Sequence, residues 1–101
     1  MTLPSRLAPP AADPSLDHVA ALLEHAARLR REQLSDLPPE LTPVAAAHRA
    51  SVTRILSSIL AAQERLASGT YGTCVGCEHP IDDRSLRLRP WTDLCDRCIR
   101  R

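Results

Sequence analysis

The chain has 101 residues, with thirteen Arg, no Lys, twelve acidic residues and a net charge of +1 with His neutral. That balance excludes a strong electrostatic hold on nucleic acid or on an anionic membrane. One Tyr, one Trp and no Phe leave Leu, Ile, Val and Ala to build the modest core of one domain. Such small domains commonly need a disulfide set or a metal as a staple.

The chain does not open on the apolar run of a secretory signal, and no stretch is long enough to span a bilayer. The expectation is a soluble, cytoplasmic protein with no membrane partner, in which paired Cys act more readily as metal ligands than as disulfides. Residues 1–12 are rich in Pro and Ala without periodicity and read as a disordered arm. Asp13-Pro14 is a helix start, an acidic cap followed by Pro where its missing N–H costs nothing. Leu16, Val19, Leu22, Leu23, Ala26 and Leu29 then recur at three- and four-residue spacing as one apolar stripe. Past Leu29 the pattern dissolves into Arg30, Arg31, Glu32 and Gln33, so the distal end of this helix is the wetter one.

Between Ser35 and Pro43 the residues Pro38, Pro39 and Pro43 stop the helix and turn the chain. Thr42-Pro43 repeats the cap-then-Pro signal. The second helix carries Val52, Ile55, Ile59, Ala62 and Leu66 as its seam, flanked by Leu56 and Leu60, and Gly69 is its expected C′ residue. Two helices of roughly 30 to 40 Å, joined by a short turn, run antiparallel with their stripes facing. The fold class read from this is mainly α. It consists of an antiparallel two-helix coiled-coil hairpin over 13–69, turning at about 35–43, with a small four-cysteine finger over 70–101.

Cys74-Val75-Gly76-Cys77 and Cys95-Asp96-Arg97-Cys98 are two C-x-x-C pairs separated by seventeen residues, a spacing expected of a four-cysteine zinc site. Two sulfurs on each tight turn converge on one metal, and four thiolates leave no position for water or substrate, so the expected role is one structural Zn2+. Gly72 and Gly76 supply backbone freedom beside the first turn. The competing readings are two disulfides, a thioredoxin-like motif without its βαβ unit, and chance free thiols. Arg84, Arg87, Arg89 and Arg97 either offset the charge of a zinc–thiolate centre or are ordinary solvated surface. His18 and His25 read as solvated helix positions, and His79 has no ligand role beside four thiolates.

Gly69-Thr70-Tyr71-Gly72-Thr73-Cys74, Pro80-Ile81, Leu86, Pro90-Trp91 and the Cys95/Cys98 pair, with Glu64-Arg65-Leu66 before them, closely resemble the DksA/TraR family of bacterial transcription regulators. The detailed match covers about the last third of the chain; the hairpin matches in architecture. The resemblance implies a partner, RNA polymerase, whose secondary channel takes the hairpin so that acidic tip residues approach the catalytic centre. It also implies that ppGpp would matter only through the polymerase. Two residues depart from the family pattern. The tip holds Asp36 and Glu40 where well-known members carry Asp-x-x-Asp-x-Ala, and Cys77 is followed by Glu78 where Gly is common. A left-handed backbone at Glu78 would be strained.

Asp36 and Glu40 are the candidate partner-binding residues, although any exposed turn carries such acids. Tyr71 and Trp91 read first as packing between hairpin and finger and second as a partner surface. The Arg28, Arg30 and Arg31 cluster is either a solvated face or a polymerase contact. No nucleophile is paired with a base, so no enzyme is expected. Residues 70–101 hold six Arg against five acids, which gives no basic footprint for sequence-specific DNA binding. The remaining alternative is an adaptor in which the finger pins the hairpin for another partner.

Overall fold

The computed structural model of the protein describes residues 14–39 and 42–101. The arm over 1–12, the cap Asp13 and the tip residue Glu40 lie outside the described residues. Helix α1 spans Pro14–Asp36 and α2 spans Pro43–Ser68. They pack against each other as a hairpin, and the molecule is elongated at 60 × 31 × 20 Å. Two short helices follow, α3 over Asp83–Leu88 and α4 over Asp96–Ile99. Among the described residues there is no strand, only an isolated antiparallel bridge between Thr73 and Pro80.

Both ends of α2 are built by local chemistry. Thr42 is its N-cap, the side-chain oxygen accepting from the Ala45 N–H at 3.1 Å, with Pro43 at the first helical position. Gly69 closes it at φ +84°, and the Thr70 N–H returns to the Arg65 carbonyl at 2.9 Å. Only Gly takes that left-handed turn without strain.

The seam of α2 lies where its periodicity put it. Val52, Ile59 and Ala62 are buried, and Ile55, Leu56, Leu60 and Leu66 are partly so. The seam of α1 is turned from the expected one. Leu23 and Ala27 are its buried residues, with Val19 and Ala26 beside them, whereas Leu22 is 41% and Leu29 44% exposed. Residues 22 and 29 are seven apart and share one side of the helix, about 100° from Leu23, so a partner helix cannot cover both sides. Toward the turn no described residue of α1 beyond Ala27 and none of α2 before Val52 is fully buried. The hairpin is therefore anchored at its open end, where the finger sits.

Candidate metal centre

The chain leaves α2 through Gly69 and meets the hairpin core again at two aromatic residues. Tyr71 and Trp91 pack against the cluster of Leu23, Ala27, Ile59 and Ala62. The Tyr71 hydroxyl donates to the Pro90 carbonyl at 2.9 Å, and Arg65 Nη2 donates to the Trp91 carbonyl at 3.4 Å. Burial raises the Tyr71 pKa above its ordinary value, with the Arg65 charge opposing that shift. Both aromatics thus belong to the joint that ties finger to hairpin.

The finger has its own small core of Cys74, Ile81 and Cys95, with Leu86 and Leu94 against it. Asp82 caps α3, its carboxylate accepting from the Ser85 N–H at 3.0 Å and hydroxyl at 2.8 Å; these bonds lower its pKa. The first knuckle is closed by the Glu78 N–H on the Cys74 carbonyl and the Cys74 N–H on the His79 carbonyl, both at 2.9 Å. Val75 N–H donates to the Asp93 carbonyl at 2.9 Å and holds the two knuckles together.

These turns bring Cys74, Cys77, Cys95 and Cys98 together with their sulfurs all within 4.8 Å of one another. Cys77 and Cys95 sulfurs are 3.6 Å apart. A tetrahedron with metal–sulfur bonds of about 2.3 Å has edges of about 3.8 Å, so the spacing fits one ion bound by four thiolates. Cys74 and Cys95 are buried, Cys77 and Cys98 half-buried. Among the described residues this is the only cluster of potential metal ligands. His79 is exposed, as are His18 and His25.

The electrostatics of the four thiols also fit a cation. The Cys95 N–H donates to Cys74 Sγ at 3.3 Å, as does the Gly76 N–H. These backbone bonds, that of Cys95 foremost, lower the Cys74 pKa to about 6. Cys95 is also lowered, first by the Cys98 N–H. Cys98 is pushed up to about 12, chiefly because it faces Cys74, with burial adding to it. Backbone dipoles favour one or two thiolates here, and their charge keeps the next proton on. A bound divalent ion would remove that conflict, so metal uptake is expected to release protons from the four-thiol cluster and to weaken as pH falls.

Arg84, Arg87, Arg89 and Arg97 are all exposed. Arg87 pairs with Asp83 at 3.0 Å, and Arg100 with Asp96. Solvated i,i+4 pairs of this kind contribute little to stability, and the N–H···S bonds are what stabilise charge on sulfur.

Three local features set the knuckle geometry. Gly72 takes φ +86° and needs Gly for its backbone. Gly76 is not at positive φ, and the space beside it matters instead of the backbone freedom expected of it: a Cβ there would sit 3.1 Å from Cys98 Sγ and push on that sulfur. The spacing rule carries no signal for that close approach. Glu78 has φ +65°, the one positive-φ non-Gly position among the described residues. A left-handed residue with a side chain costs about 1–2 kcal/mol, and Gly returns part of that through the entropy of the unfolded chain. Glu78→Gly is therefore expected to stabilise the finger by roughly 0.5–1 kcal/mol, read as a higher midpoint in thermal unfolding of the metal-loaded protein. A lower midpoint would mean that the Glu78 side chain contributes more than the strain takes away.

The tip is the other site singled out by the sequence. Asp36 is exposed as the last residue of α1. The Leu37 N–H follows it onto the Leu34 carbonyl at 3.4 Å. The negative end of the helix dipole makes this a poor place for an acid, by about 0.5 kcal/mol.

Neither a family model nor any curated protein matches this chain. Among solved structures it is similar to the transcription factor DksA2 from Pseudomonas aeruginosa, at a TM-score of 0.73 and 25% identity over 91% of this chain and 88% of that one. With two long helices in a hairpin, four clustered cysteines behind them and this likeness over nearly the whole length, the chain is a DksA/TraR-like protein.

Proposed function

We infer that the protein is a cytoplasmic transcription regulator that binds RNA polymerase through its hairpin, which enters the secondary channel, and makes no sequence-specific contact with DNA. One observation carries this reading: hairpin and finger follow the transcription factor DksA2 over 91% of the chain. In this reading Cys74, Cys77, Cys95 and Cys98 hold one structural zinc. That ion fixes the finger on the hairpin base and has no open position for chemistry. The finger's charge argues against DNA, since Arg87 and Arg100 are engaged by acids and a thiolate-rich centre adds negative charge. No helix of the described residues is long and apolar enough to cross a membrane.

Polymerase affinity in this reading comes from the hairpin flanks and the finger, and the effect on initiation from the acids at the tip. Replacing Asp36 and Glu40 together with Ala should change stability by only about half a kcal/mol. Zinc content and most of the affinity for purified polymerase should persist, while the effect on initiation in a purified system falls. A double variant that regulates like wild type would remove the tip from the mechanism. The absence of the Asp-x-x-Asp-x-Ala pattern favours one rival, an adaptor for another partner. It wins if the wild-type chain neither binds polymerase nor alters initiation.

A further inference from the structure

Pro38 and Pro39 stop α1 without a glycine cap, and the Leu37 N–H returns to the Leu34 carbonyl at 3.4 Å. The last carbonyls of α1 have no partner within the helix, and the chain continues as Leu37-Pro38-Pro39 with no Gly to turn left-handed and, at the prolines, no N–H to return. The last turn of α1 holds no basic residue and ends on Asp36, which adds negative charge to the negative end of the helix dipole. The opposite end of the hairpin is closed locally by Gly69.

The missing cation arrives from the other helix. Arg49, half-buried in the second turn of α2, points Nη2 at the carbonyls of both Leu37 and Pro38, at 3.4 Å each. A single donor group shared between these two carbonyls, which follow directly on the last residue of α1, brings positive charge close to the dipole's negative end. Pro38 and Pro39 already have fixed φ. Holding two successive carbonyls therefore ties the end of α1, and Asp36 with it, to the second turn of α2.

We propose that Arg49 is the positioning residue of the hairpin tip: its guanidinium, bridging the Leu37 and Pro38 carbonyls, sets the direction in which the chain leaves α1 and with it where Asp36 is presented to a partner. Arg49 acts through the tip and needs no contact with the partner. The proposal rests on the polymerase reading above, so its test has one arm that does not involve polymerase.

In the full metal-loaded chain, 15N relaxation compares wild type with Arg49→Met and Arg49→Lys. The Met variant should lower the heteronuclear NOE at Asp36 and Leu37 and leave Ile59 and Ala62 unchanged. Lys should restore most of it, because an ammonium brings the charge without the planar fork. In purified transcription at saturating protein, Arg49→Met should reduce the effect on initiation by roughly fivefold, the scale of one lost hydrogen bond. The concentration for half-maximal effect should stay within about twofold of wild type, and Lys should again rescue. An unchanged NOE in Arg49→Met overturns the clamp, whatever the polymerase does. A lowered NOE with full regulation overturns the positioning role. A wild-type chain without effect on initiation overturns the polymerase reading and that role with it, while the NOE still decides whether Arg49 orders the tip.

Discussion

Replacing Cys74 with Ser is expected to remove the metal from the chain and to loosen the base of the hairpin. Cys74 is the most enclosed of the four sulfurs at 0% exposure, and N–H groups from both knuckles, Gly76 and Cys95, converge on it. A Ser hydroxyl is shorter, stays protonated and leaves those donors facing a poor acceptor. Binding of zinc by four thiolates contributes on the order of 10 kcal/mol, which exceeds what the few apolar residues of such a finger provide. Ile81, Leu86 and Leu94 therefore cannot hold the knuckles closed without the ion.

The loss then passes to the hairpin through Tyr71 on Pro90 and through Trp91, which packs on the Leu23–Ile59 cluster. Trp91 is the only Trp in the chain, so its fluorescence reports the joint directly. In Cys74→Ser, or in wild type treated with a strong chelator, its emission should shift to the red, and elemental analysis should fall from one zinc per chain toward none. Retention of a full zinc in the variant, iron as the main metal, or two intact disulfides with no metal would each overturn the structural-zinc reading.

The architecture was readable in the sequence wherever one local rule acted alone. Thr42-Pro43 and Gly69 mark the ends of α2 because capping involves only neighbours within a few residues. Its seam of Val52, Ile55, Ile59, Ala62 and Leu66 has no competing stripe. The four cysteines converge because each knuckle is a short turn. Glu78 was marked out by its place after Cys77, and its φ of +65° is the strained backbone anticipated for a side chain there.

The features that were not readable depend on residues far apart in the chain. On α1 the residues Leu22, Leu23, Ala26, Ala27 and Leu29 form two overlapping apolar stripes, and only the position of α2 decides which is buried. Gly76 meets Cys98 across 22 positions, at 3.1 Å from its would-be Cβ. Arg49 reaches carbonyls 12 and 11 residues back. Nothing in Leu37-Pro38-Pro39 announces that its cation comes from another helix.

The ambiguity on α1 gives the second large effect, a contrast between adjacent leucines. Leu23 is 0% exposed and belongs to the cluster with Ala27, Ile59 and Ala62, whereas Leu22 is 41% exposed. Leu23→Ala removes three methyl or methylene-equivalent carbons from a closed seam and leaves a cavity that two straight helices can only partly collapse, at roughly 3 kcal/mol. A small domain has about 5–10 kcal/mol in total, so that change alone should take away a large part of the hairpin's stability. Leu22→Ala loses only partial burial and gains slightly in helix propensity, for a net change of about half a kcal/mol. Urea unfolding of metal-loaded protein, followed by far-UV circular dichroism, should show a much lower midpoint for Leu23→Ala and a nearly unchanged one for Leu22→Ala, with equal slopes. Because Tyr71 and Trp91 lie on the same cluster, Leu23→Ala should also redden Trp91 emission while the metal stays bound. The reverse order of midpoints would place the seam on Leu22 and Leu29 and rotate α1 about its axis from the arrangement described above.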